Sequence, residues 1–248
     1  MAGDGKGWPG RSSPAAMEVL QGMSGLLLVL FVWAHMFFES SILLGKEAMY
    51  RVTGLFEGRY FFDQPYPVLV TLIALAILVL VIIHAVIALN KFPAGYRQHR
   101  DLYRHAGSMR HGDTTLWIVQ AASGFLLFFL LPVHLYTMIV EPENIGPYAS
   151  SDRIWSQRYW ILYALLLVTV HVHAGAGVYR LAMKWFPPDT TSIVTRRTLR
   201  RGIFALVTAF ILLGCASLAA YMQIGAGHAQ QAGERYVPPS SAPQDAGH

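Results

Sequence analysis

Five long apolar runs, separated by polar connections, set the architecture of this chain before any motif is considered. They fall at roughly residues 18–45, 66–90, 115–140, 156–184 and 201–223. A helix needs about 20 apolar residues to cross a bilayer, and each run is that long. In hydrocarbon, backbone N–H and C=O groups must be satisfied within the segment, so an apolar run of this length is helical. The expected fold is all-α: an integral membrane bundle of five transmembrane helices. The composition agrees. Only 13% of residues are charged and 54% are hydrophobic, whereas a soluble domain carries about 25% charge. The first run is too long for a cleavable signal and lacks a small-residue cleavage site.

The net charge of +5 would suit a nucleic-acid partner, but its placement excludes that reading. The second and third runs are joined by a segment bearing Lys91, Arg97, Arg100, Arg104 and Arg110. The fourth and fifth are joined by one bearing Arg196, Arg197, Arg200 and Arg201. The other two connections balance bases with acids. The positive-inside rule then makes the basic connections cytoplasmic, the N-terminus cytoplasmic and the C-terminus periplasmic. Three regions follow: an N-terminal arm at 1–17, the transmembrane domain at 18–223 and a poorly ordered tail at 224–248. A short surface helix is expected around 97–110, with His99, His105 and His111 as surface residues. The one cysteine, Cys215, lies in the fifth run. It has no disulfide partner and reads as a small buried apolar residue. Without a C-x-x-C-H motif, covalent c-type haem attachment is excluded.

Every run except the fifth holds a deep histidine: His35, His84, His134 and His173. An ionisable ring at membrane depth is costly and marks a function or a partner. Helix rise gives their depths. His35 precedes Lys46 by 11 residues and His134 precedes Glu141 by 7, about 16 and 10 Å from the outer boundary. By the same count, His84 precedes Lys91 by 7 residues and His173 precedes Lys184 by 11, from the inner side. His35 and His134 therefore share the outer half of the membrane, His84 and His173 the inner half. Two imidazoles at one depth suit the axial positions of a haem iron, so two pairs imply two stacked b-type haems. Di-iron or zinc sites would need carboxylates or H-x-x-x-H clusters, and apart from Glu39 the first four runs hold almost no deep acid.

The stretches "SGLLLVLFVWAH" and "SGFLLFFLLPVH" both read Ser-Gly-x9-His. Gly25 and Gly124 thus lie about 15 Å below their histidines, at the inner level. There they admit either a porphyrin or a closely packed helix. In "VHVHAGAG", His171 and His173 point about 200° apart on a helix, and spacing alone does not choose between them.

The stretches "HMFFESSILLG", "HAVIALNKFPAGYRQ", "MRHGDTTLWIVQAASGF", "PVHLYTMIVEP" and "VYRLAMKW" resemble the di-haem cytochrome b membrane subunits of quinol:fumarate reductases, in the complex II superfamily. The resemblance covers about residues 18–222. It implies His84 and His173 as ligands of an inner haem b, and His35 and His134 of an outer haem b. It implies Glu57 as the acid serving menaquinol oxidation. Gln21, Trp117 and Lys184 then become propionate partners on the inner side and Arg153 on the outer side. It further implies flavoprotein and iron–sulfur subunits on the cytoplasmic face of a bacterial inner membrane, a lipid environment, and a dimer of heterotrimers. On this reading the chain oxidises menaquinol and passes electrons toward fumarate, with no fumarate-reducing activity of its own. The chain departs from the family at His171, where members carry a glutamate associated with transmembrane proton transfer. The departure touches the proton route, not the haem ligation. The alternatives are the same subunit working as succinate:quinone reductase, a di-haem cytochrome b of a hydrogenase or formate dehydrogenase, a haem-free histidine-based proton transporter, and a purely structural anchor.

Overall fold

Each apolar run forms a helix, and two amphipathic helices join them at one end. In the computed structural model, which describes residues 14–90, 100, 112–185 and 193–239, α1 spans Pro14–Glu39 and tightens into a 3-10 turn, Ser40–Leu44. α2 (Lys46–Phe56) leads to α3 (Val68–Leu89). α4 covers Gly112–Val140, α5 Pro147–Trp155, α6 Trp160–Trp185 and α7 Ile193–His228. No strand occurs among the described residues. Five helices, α1, α3, α4, α6 and α7, are long and apolar enough to cross a membrane. The chain is thus a multi-pass membrane protein. α2 and α5 both start after a glycine with positive φ, Gly45 at 109° and Gly146 at 120°, a backbone turn that side-chain-bearing residues rarely make.

α1 packs on α3, α3 on α4, α4 on α6 and α6 on α1, which closes a ring. α7 lies outside the ring, against α6 and α1. Small residues let α6 and α7 approach closely. A Cβ at Gly175 would stand 2.5 Å from Val207, and one at Gly214 would collide with Leu167. At the α2/α5 end, Ile42, Met49, Ile154 and Tyr221 form a compact apolar cluster that ties both amphipathic helices to α7. The ring interior is left open as a cavity of about 1240 Å³.

α7 continues to His228, and the segment after it meets α5 and the connection before α5. Asp152 accepts from Gly233 N (2.9 Å) and pairs with His228 (3.0 Å). Tyr148 stacks on His228 at 3.9 Å, and Arg235 donates to the Glu143 carbonyl. The partners lie about 80 positions away, where composition carries no trace of them. Cys215 is exposed, on the outer helix α7, not buried. Residues 1–13, the expected helix at 97–110 apart from residue 100, and His99, His105 and His111 lie outside the described residues.

Candidate functional site

All four deep histidines line the ring cavity, and they meet as two pairs. The ring centroids of His35 and His134 are 6.2 Å apart, and those of His84 and His173 are 6.4 Å apart. Two imidazoles on opposite sides of one metal, each with a metal–nitrogen bond of about 2 Å, place their centroids roughly 6 Å apart. Among the described residues, no group of three or more His, Cys, Asp or Glu could hold a metal ion. A metal between only two protein ligands must bring its own equatorial ligands, as a haem does. The cavity also exceeds the roughly 1,000 Å³ upper range for a site holding one small ligand. The residues present therefore fit two bis-histidine haems.

The pair farther from α2 and α5 sits in a repeated cradle. Ser24 Oγ lies 3.2 Å from His84 Nδ1. Ser123 Oγ lies 3.3 Å from His173 Nδ1, which is also 3.0 Å from the Gln120 carbonyl. An Nδ1–H donated to such acceptors fixes the tautomer that leaves Nε2 free to bind metal. The neighbouring glycines make room for these rings. A Cβ on Gly25 would stand 3.0 Å from His84, and one on Gly124 would stand 2.9 Å from His173. The glycines thus seat a histidine of the facing helix, a close approach that small residues permit. His134 and His35 lack this cradle. His134 packs edge-on against Tyr163 and His35 stacks on Phe31, while His134 Nδ1 is buried without a hydrogen-bond partner.

His171 faces the other way. It is 0% exposed and wedged between α6 and α7. Its Nδ1 donates to its own helix at the Leu167 carbonyl (2.8 Å), and its ring stacks on Phe210. It is absent from the cavity wall, where His173 is present.

Polar groups gather at both ends of the cavity. At the far end, Gln21, Trp117 and Lys184 line it, and Lys184 pairs with Glu18 at 2.6 Å. Arg180 lines it too and bonds Gln120 at 2.5 Å. At the α2/α5 end stands Arg153, 3% exposed. It donates to the Asn144 carbonyl (2.6 Å), while its Nε is buried without a partner. A buried guanidinium with a spare donor suits an anionic group such as a propionate.

Glu57 closes α2. It is 5% exposed and pairs with Arg59 at 3.4 Å, whose guanidinium lies over Tyr50. Burial pushes its carboxyl above the ordinary 4.5, and Arg59 pulls it part of the way back. The aromatic residues beside it in the chain are divided. Phe56 lines the cavity, but Tyr60, Phe61 and Phe62 are exposed on the turn after α2. Thr53 and Phe56 line the cavity, and Glu57 is not among the lining residues.

Comparison with known proteins agrees with this architecture. The family described as succinate dehydrogenase/fumarate reductase transmembrane subunit matches residues 96–214. The fumarate reductase cytochrome b subunit of Helicobacter pylori is 44% identical over 211 residues, covering 85% of this chain and 82% of that one. The subunit of the same name from Wolinella succinogenes is 44% identical over 215 residues, covering 86% and 83%. This chain belongs to the fumarate reductase cytochrome b family. As a member it is a membrane anchor within a redox enzyme complex. Sequence reasoning on this family member missed Ser24, Ser123, Gln120, Arg180 and Tyr163. A signal for the first three existed. The repeat extends backward to Gln-x-x-Ser-Gly, at Gln21 and Gln120, with its glutamine one turn before the serine.

Proposed function

We propose that this chain is the di-haem, quinol-oxidising subunit of a quinol:fumarate reductase. The observation that carries the reading is the pair of imidazole pairs, 6.2 and 6.4 Å between centroids, inside one cavity. The names of the relatives support haem b and fumarate as the terminal acceptor. His84 and His173 hold one haem, and His35 and His134 hold the other. When bound, the two haems carry single electrons across the membrane, from menaquinol at the α2/α5 end to iron–sulfur and flavin subunits at the other. The protein supplies the rest. Ser24, Ser123 and the Gln120 carbonyl orient the imidazoles. Arg153 at one end, and Gln21, Trp117 and Lys184 at the other, receive the propionates. Glu57 takes a proton from the quinol. The reverse direction, quinone reduction by succinate, uses the same residues.

Reduced-minus-oxidised absorption spectra of the purified protein test the reading directly. Low-spin b-haem bands are expected, and their absence would leave a haem-free proton transporter or a bare anchor. Flavin and iron–sulfur subunits should copurify.

Two further outcomes are expected. Gly124→Ala puts a methyl group within about 3 Å of His173 and should displace that ring. Haem content should drop toward half, as read by pyridine haemochrome assay, with the His35/His134 site still filled. For topology, a reporter fused after residue 239 keeps the contacts of Asp152 intact and should behave as periplasmic. A cytoplasmic signal there would reverse the assignment of the two cavity ends.

A further inference from the structure

Glu39 ends α1, one helical turn beyond His35. Among the residues lining the cavity, it is the acid at the α2/α5 end. Tyr221 of α7, 3% exposed, donates its hydroxyl to Glu39 Oε2 at 3.0 Å and lies 3.2 Å from Met49 Sδ. One carboxylate oxygen is thereby held. Phe38 and Phe56 pack edge-to-face at 5.3 Å, and both line the cavity. They are the chain neighbours of Glu39, which lines the cavity with them, and of Glu57, which does not.

We infer that Glu39, held by Tyr221, is a second catalytic carboxylate of the quinol site, contacting one quinol hydroxyl and accepting its proton. The inference rests on the quinol-oxidising reading above. Oxidation of a quinol breaks two O–H bonds, releases two protons and two electrons, and leaves two carbonyls. The electrons leave through the complex to fumarate, which takes up two electrons and two protons to become succinate. Two released protons need acceptors, and a quinol ring against Phe38 and Phe56 has Glu39 in the same cavity wall. Glu57, bonded to Arg59, serves one and Glu39 the other. A general base must reach the proton it takes, and Glu39 already lines the cavity wall.

The discriminating variant is Glu39→Gln in the full complex. Glutamine keeps an oxygen to accept the Tyr221 bond, so the tie between α1 and α7 survives while the base and its charge are lost. A purely structural carboxylate would make this change silent. The expected result is a fall in kcat with quinol of about a hundredfold or more, and a matching slowing of haem reduction by quinol in stopped-flow absorbance. Haem content and dye-driven fumarate reduction should be unchanged. Glu39→Asp, which keeps the charge and shortens the reach, should give a partial loss of kcat. Tyr221→Phe should give a smaller loss than Glu39→Gln. Wild-type quinol rates in Glu39→Gln or Glu39→Asp overturn the inference, as does loss of haem from Glu39→Gln, which would place its effect on haem binding and not on the quinol. A wild-type complex that binds both haems yet oxidises no quinol overturns the underlying reading along with it.

Discussion

Glu57→Gln is expected to cut quinol-driven fumarate reduction by about 10²–10⁴-fold while both haems stay bound. That range is what a positioned general base typically contributes. The substitution preserves shape and leaves an oxygen to accept from Arg59, while it removes the carboxylate's charge and its ability to take a proton. Fumarate reduction by an artificial donor that feeds the soluble subunits directly should survive, which separates lost quinol chemistry from lost assembly. The wild-type pH dependence gives a second check. A base works in its deprotonated form, and burial raises the Glu57 pKa above 4.5. Quinol oxidation should therefore decline on acidification at a higher pH than a solvent-exposed glutamate would dictate, and that limb should be absent from the residual rate of Glu57→Gln. Undiminished quinol turnover in the variant would remove Glu57 from the mechanism.

The second large effect concerns haem ligation. His35→Ala or His134→Ala should empty the site near α2 and α5, and His84→Ala or His173→Ala the site in the Ser-Gly cradle. Each halves the haem content, because one imidazole of a facing pair is gone. His171→Ala should retain both haems. Its ring touches Phe210 and its own helix rather than the cavity, so the loss is one of packing between α6 and α7, a few kcal/mol of stability at most. Optical and EPR spectra distinguish the two low-spin centres. Loss of haem from the His171 variant, with retention in the His173 variant, would reassign the ligand.

The same two neighbours, His171 and His173, mark the line between what the sequence determined and what tertiary structure decided. Helix rise is a local property, so apolar length and the distance of each histidine from the nearest charge are sufficient to give five spans. They also give the grouping of His35 with His134 and of His84 with His173, and the structure brings those residues together. Helix azimuth is not local. A membrane helix is apolar on its lipid side and apolar again where it faces a cofactor, so no polar stripe marks which face turns inward. Spacing therefore left His171 and His173 equivalent. Packing of α7 on α6 at Gly175 and Val207 turns His171 away and leaves His173 on the cavity wall. The same reason hid Ser24 and Ser123, whose hydroxyls matter only because a neighbouring helix presents His84 and His173 to them. It hid the exposed Tyr60, Phe61 and Phe62, because aromatic residues near an acid read alike whether they enclose it or point outward. It also hid the contacts of His228 and Gly233 with Asp152, which comes from a different connection. Span, depth and ligand type are written along the chain by period and spacing. The facing of each side chain is set by which helix lies beside it.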